Sequence, residues 1–194
     1  MALETELELT PNQAARRQRV LDAATKLAAE GGYDAVQMRD VAQEAGVALG
    51  TIYRYFASKD HLLAACQVEF ARSIQQRLAE RPARGGTAAD RVVDVLRRAT
   101  RRTEAEPLLM AAMVTAISSP DPAVEPCQRE VTAVMGALLA EPMRDVDPQL
   151  RDGIVRTLSH VWYSALLGWV NGWATVGAVG DELESAARLL LRDV

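Results

Sequence analysis

Apolar residues recur three and four positions apart along most of the chain, the pattern of helices that bury one face. Val20, Leu21, Ala24, Leu27 and Ala28 form the first such stripe. Thr10 and Gln13 before it make a capping box, Pro11 suits the first helical position, and Gly31-Gly32 predicts the stop. A short helix follows over about 38–45, with Val41, Ala42 and Ala45 inward and Gly46 as its breaker. A third is predicted over about 49–56. Ser58 caps a fourth, carried by Leu62, Leu63, Cys66, Phe70, Ile74 and Leu78 to about Arg81.

The run RPARGG at 81–86 reads as a linker. Thr87 with Asp90 opens a fifth helix through Val92, Val95, Leu96 and Ala99, and Pro107 opens a sixth through Met110, Met113, Val114 and Ile117. SSPDPAVEP is a turn-rich loop. A seventh helix runs through Val131, Val134, Met135, Leu138 and Leu139. Asp147-Pro148 opens a long eighth, expected to end near Gly177, and Asp181 with Glu184 caps a ninth through Leu183, Ala187, Leu190 and Leu191. No strand-like alternation, repeat or low-complexity segment interrupts the series. The expected fold is all-α, with about nine helices.

Composition narrows the function. Of 194 residues, 49% are apolar, enough for a core of one medium or two small domains. The formal net charge is −4, so any nucleic-acid contact must come from a local basic patch. Cys66 and Cys127 lie far apart, without metal-like spacing, and read as buried free thiols. The N-terminus, MALETELELTPNQAARR, lacks the apolar core of a secretion signal. The most apolar run, 161–170, is too short to span a bilayer. A soluble, cytoplasmic protein without membrane contact is expected.

Helix two, the Gly46-Val47 turn and helix three have the spacing of a helix-turn-helix. On helix three, Ile52 and Phe56 share a face with Leu49 beside them, and should bury against Val41, Ala42 and Leu27. The opposite face carries Gly50, Thr51, Tyr53, Arg54 and Tyr55, groups suited to phosphates and base edges in a major groove. Lys59 adds a cation at the start of helix four. Arg16, Arg17 and Arg19 give helix one a basic start. Two other readings stay open: Tyr53 and Tyr55 as ordinary half-buried tyrosines, and Arg39 as the partner of Asp40 or Glu44.

The segment GGYDAVQMRDVAQEAGVALGTIYRYFASKDHLL resembles the DNA-binding domain of the TetR family along its length. G-Y-x-A, R-D-V-A, G-V-x-x-G-T-I-Y-x-Y-F and S-K-x-x-L arrive in order. The resemblance implies phosphate contacts at Thr51, Tyr53, Tyr55 and Lys59, and base reading or close approach at Leu49, Gly50 and Arg54. Gln37 stands where the family often has a capping Thr. It is a poor cap, but its amide would still reach a phosphate. The resemblance also divides the chain into a head over 1–58 and a ligand-binding and dimerisation half over 59–194, linked by helix four. AVQMRDVA with VALGTIYRYF, and more weakly ADRVVDVLRRATRRTEAEPLLMAAM and SHVWYSALLGWVNGWA, are similar to the KstR-type subgroup, the actinobacterial repressors of cholesterol catabolism.

In the second half, Met110, Met113, Val114 and Ile117, then Met135 and Leu139, then Trp162, Leu166 and Trp169 are candidates to line a pocket for a large apolar effector. Plain core packing is the competing reading for each. Arg97, Arg98, Arg101 and Arg102 form two rows on helix five, either a solvated face paired with Glu104 and other acids or contacts for an acyl-CoA head group. Gly168 and Gly172, one turn apart, with Leu183, Ala187 and Leu190 on helix nine, are candidates for a homodimer interface. The resemblance thus implies a dimeric, ligand-released repressor on a palindromic double-stranded operator, its effector a steroid or fatty acyl-CoA. The alternative within the family is a repressor of efflux or fatty acid genes with another apolar effector. Catalysis has little support: His61 and His160 are the only histidines, and no Gly-rich phosphate loop or metal cluster appears, so no cofactor is implied. A helical protein-interaction module is the other rival; it lacks the steep salt dependence of phosphate binding.

Overall fold

The computed structural model describes residues 10–194, and of Arg102 the backbone only. Nine α-helices are found among them: α1 Pro11–Ala35, α2 Met38–Ala45, α3 Leu49–Tyr55, α4 Lys59–Ala79, α5 Ala88–Ala105, α6 Pro107–Ile117, α7 Glu125–Ala140, α8 Pro148–Val170 and α9 Val176–Leu190. A single 3-10 turn, Glu141–Met143, follows α7. The local chemistry explains most boundaries. Thr10 accepts from the Gln13 amide at 3.4 Å while the Gln13 side chain accepts from the Thr10 amide at 2.9 Å, closing the capping box. Ser58, Thr87 and Asp147 cap α4, α5 and α8 in turn. Gly32, at φ +71° and ψ −162°, breaks α1 before its last turn.

The end of α8 differs from expectation. The helix stops at Val170, not near Gly177, and α9 begins at Val176, capped by Thr175 rather than Asp181. The Trp173 amide bonds the Gly168 carbonyl at 2.8 Å and the Gly172 amide bonds that of Trp169 at 3.0 Å. With Gly172 at φ +77°, this is a Schellman stop, which glycine enters without a Cβ penalty.

One hydrophobic cluster runs from Val20 to Leu191 and joins both halves of the chain. α1 lies along α6 and crosses α2 and α4, while α4 is also flanked by α6 and α7. α5 packs on α9, and α9 on α8. Leu21, Ile52, Phe56, Leu62, Leu63, Met113, Leu158 and Leu183 are almost wholly buried. Each such side chain contributes about 1.5–3 kcal/mol by leaving water. Both cysteines are buried and unpaired, and burial pushes the Cys66 thiol up to about 12, so it stays protonated and unreactive.

Candidate nucleic-acid interface and effector cavity

Gly46, in the left-handed region at φ +62°, turns the chain between α2 and α3. α3 then buries Ile52 and leads Phe56 inward, with Leu49 half-buried beside them. That fixes which side of α3 faces out. Tyr53 is 52% exposed, and Gly50 and Arg54 are exposed with it. Thr51 and Tyr55 are half-buried at the edges of this face. Tyr55 packs on the core, and its hydroxyl accepts from Arg54 at 2.9 Å under a guanidinium 4.9 Å from the ring. A Cβ added to Gly50 would meet nothing within 4 Å, so packing inside the chain does not require glycine there.

The surrounding cations divide into free and engaged. Arg16 and Arg39 are exposed, and neither makes an ion pair among the described residues; Glu44 pairs with Lys26 at 2.6 Å instead. Arg17 lies 5.4 Å over the Phe56 ring, and Arg19 reaches the Ala45 carbonyl at 3.4 Å. Lys59 is half-buried: its ammonium sits 3.7 Å from the centre of the Tyr33 ring and donates to the Tyr33 carbonyl at 3.2 Å. Gln37 precedes α2 without capping it, because its amide donates back to the Asp34 carbonyl at 2.9 Å. Tyr33 also donates to Asp60. Burial first, and that bond second, push its phenol up to about 12. Ser58 accepts from the His61 amide at 3.1 Å and donates to Asp121 at 2.6 Å, tying the start of α4 to the α6–α7 loop. That hydroxyl and the Ala123 amide hold the Asp121 carboxyl below its usual value.

The second half encloses a cavity of about 560 Å³. α4 supplies Gln67, Phe70, Ala71 and Ile74; α5 supplies Ala99 and Thr103; α6 supplies Met110 and Ile117. α7 adds Gln128, Val131, Thr132, Met135 and Gly136, and α8 adds Val155, Arg156, Ser159, His160, Trp162, Tyr163 and Leu166. Five expected lining residues are therefore present: Met110, Ile117, Met135, Trp162 and Leu166. Met113, Val114 and Leu139 are not. Each is at most 1% exposed, in the core away from the cavity. Trp169 packs half-buried on the core, also outside it. Of the α4 stripe 67-70-71-74, Phe70 and Ile74 belong to the helical periodicity of the sequence and Gln67 and Ala71 do not stand out in it; nothing there distinguishes a cavity wall from core.

Arg97, Arg98 and Arg101 of α5 supply no charge to the cavity wall. Arg97 pairs with Glu184 of α9 at 2.6 Å, and Arg98 with Asp94 at 3.2 Å and the Arg81 carbonyl at 2.8 Å; neither lines the cavity, nor does Arg101. Among the described residues, the cation at the wall is Arg156, exposed and in no ion pair with another of them, one turn before His160. Both also border a shallower groove with Leu150, Gly153 and Leu190 on the outer side of α8 and α9.

The interface expected for a second copy needs correction. Leu183 and Ala187 are fully buried within their own chain, where α9 meets α5 and α8. Gly172 lies beyond the helix, in its Schellman stop, and Gly168 is buried with its carbonyl already accepting. Leu190 alone of the five borders the outer groove. Exposed apolar side chains nearby are Leu150, Trp173 and Leu189, with Trp173 at 81%.

This helix-turn-helix, with its outward tyrosine and arginine, precedes a helical half built around a cavity. Residues 20–66 match the family model described as bacterial regulatory proteins, tetR family, and residues 85–190 match the tetracyclin repressor-like C-terminal domain. The chain belongs to the TetR family. The HTH-type transcriptional repressor KstR of Mycolicibacterium smegmatis is 39% identical over 194 residues, covering 98% of this chain and 95% of that protein. Among solved TetR structures, a transcriptional regulator from Rhodococcus sp. RHA1 is similar at TM-score 0.82 and 32% identity, over 94% of this chain and 99% of that one. FadR of Thermus thermophilus, a TetR-family repressor solved with lauroyl-CoA, shares the fold at TM-score 0.71 and 23% identity, over 90% of this chain and 93% of that one. No described TetR helix here is long and apolar enough to cross a membrane.

Proposed function

We propose that this TetR-family protein is a cytoplasmic, ligand-released repressor of lipid or steroid catabolism genes, with an acyl-CoA thioester as effector. It acts by binding, without catalysis or cofactor. The carrying observation is the cavity: a broad apolar chamber for a hydrocarbon body, with Arg156 and His160 on its wall to meet an anionic head group. Likeness to KstR over almost the whole chain supports the pathway class.

Residues 1–58 act as the DNA reader and 59–194 as the effector and dimerisation half. Tyr53, Arg54 and Gly50 meet the major groove, while Arg16, Arg39, Thr51, Tyr55 and Lys59 meet phosphates. Two copies pair through the outer faces of α8 and α9, where Leu150, Leu189, Leu190 and Trp173 supply apolar area. The operator is then a palindrome with half-sites about 34–36 Å apart.

α4 couples the halves, because one helix carries the cavity stripe 67-70-71-74 and starts at the head. A second route runs through Gln128, which lines the cavity and holds the Ile117 carbonyl at 2.7 Å, into the loop that bears Asp121. An effector that binds better when the heads are splayed moves the dimer off its operator; one with equal affinity for both arrangements moves nothing.

A thermal-shift screen with steroid and fatty acyl-CoA thioesters identifies the class, since a ligand at one hundred times its Kd stabilises by about 2.7 kcal/mol. Footprinting then shows a palindromic site protected by the free protein and exposed by that thioester. A stabilising thioester that leaves the footprint unchanged refutes the coupling.

A further inference from the structure

The cavity wall contributed by α4 contains one amide among hydrocarbon. Gln67 shares its stripe with Phe70, Ala71 and Ile74 and is only 9% exposed. Its carbonyl Oε1 is buried and has no hydrogen-bond partner among the described residues. On the adjacent α5 wall, Thr103 is 3% exposed and lines the same cavity. Thr100, one turn earlier, returns its hydroxyl to the Leu96 carbonyl at 3.0 Å, as a buried helical threonine ordinarily does. An unsatisfied buried polar atom is unfavourable, and an apolar residue of similar shape would fill the Gln67 position without that penalty.

We infer that Gln67 reads a polar oxygen carried on the apolar body of the effector. This inference rests on the acyl-CoA reading above and narrows it. The effector has an anionic head for Arg156 and His160, and in addition a hydroxyl or ketone set into its hydrocarbon part. Rotation about the last bond of the Gln67 side chain exchanges acceptor and donor, so the amide meets either group. Thr103 offers a second donor-acceptor on the neighbouring wall. α4 supplies Gln67 and α8 supplies Arg156 and His160, so the internal oxygen and the head group contact different helices. A plain saturated chain fills the same volume but leaves the amide unsatisfied. Gln67 therefore selects against ordinary fatty acyl-CoA, and it does so on the helix that reaches the DNA-binding head.

The test is calorimetry on the full chain and on Gln67→Leu, with two ligand series. One is stearoyl-CoA with its derivatives bearing a single hydroxyl at successive chain positions. The other is a steroid-acid CoA thioester with and without one ring ketone. In the parent protein, one oxygenated member binds about tenfold or more tighter than its deoxygenated counterpart. In Gln67→Leu that preference disappears, because the oxygenated ligand weakens while the deoxygenated one binds as well or better. The series that shows the preference identifies the source of the oxygen, chain or ring. Equal binding across both series, or a preference unchanged in Gln67→Leu, overturns the inference and leaves the acyl-CoA repressor reading intact. Absence of binding by every thioester overturns both. Gln67→Glu, which keeps the shape and an acceptor, separates polar contact from packing: it retains preference for a hydroxyl and rejects a ketone.

Discussion

Ser58 and Asp121 join the start of α4, beside the helix-turn-helix, to the α6–α7 loop of the cavity-bearing half through one hydrogen bond of 2.6 Å. Ser58 is the cap of α4, and Asp121 sits in the loop after α6, whose last residue Ile117 lines the cavity. Asp121→Ala leaves the Ser58 cap in place, so α4 still forms. It removes a route by which cavity occupancy reaches the head. The expected outcome is near-normal operator affinity without effector, together with a several-fold rise in the effector concentration needed for release. Fluorescence anisotropy of labelled operator, titrated with the thioester that releases the parent, measures both.

Alkaline stability should depend on Tyr33. Its phenol is raised from 10 to about 12 in the fold, so its protonated form is favoured there. That contribution is fully present below pH 10 and is lost as pH rises through about 12. Tyr33→Phe keeps the ring under Lys59 but removes the bond to Asp60. Urea unfolding of parent and variant should therefore differ at pH 8 and converge towards pH 12, and a constant difference would contradict the assignment.

Gly50→Ala separates folding from DNA binding. The added Cβ meets nothing within the chain, and alanine favours a helix by up to about 1 kcal/mol over glycine. Thermal stability of the free protein should hold or rise while operator affinity falls, because the methyl stands between α3 and the groove. A variant that binds as tightly as the parent places Gly50 away from the duplex.

Arg39 and Arg54 should weaken binding in different ways. With Arg39 on a phosphate, as proposed, Arg39→Ala should shrink the slope of log affinity against log salt by about 1, with little change in sequence preference. With Arg54 in the major groove, as proposed, Arg54→Ala should cost about 1–3 kcal/mol on the true site, with a smaller loss on scrambled duplex. Titrations at several salt concentrations on both duplexes separate these outcomes.

Much of the fold was legible in the sequence because its boundaries are set by short-range chemistry. The Thr10–Gln13 box, the Thr87 cap and the prolines opening α6 and α8 each act within one turn. The α3 pattern was equally direct, since Ile52 and Phe56 leave one side for Tyr53 and Arg54. Errors arose where a residue type has two uses. Gly172 stands at the spacing of a packing glycine from Gly168, but it is the left-handed residue that ends α8. Leu183 and Ala187 form an apolar stripe that would serve a partner or the chain's own core; α5 occupies it. Periodicity reports which face of a helix is buried, not what buries it. The cavity shares that limit: Met110 lines it, and Met113, three residues on, is in the core.

α1 is shared property. Its apolar side lies against α6 of the effector half as well as against α2 and α4, within one uninterrupted cluster. A chain cut after Phe56 would bare the flank that α6 now covers, so the reader is not a detachable cartridge that could be grafted onto another sensor unchanged. Domain exchange in this architecture has to carry α6 along, or rebuild the seam it fills.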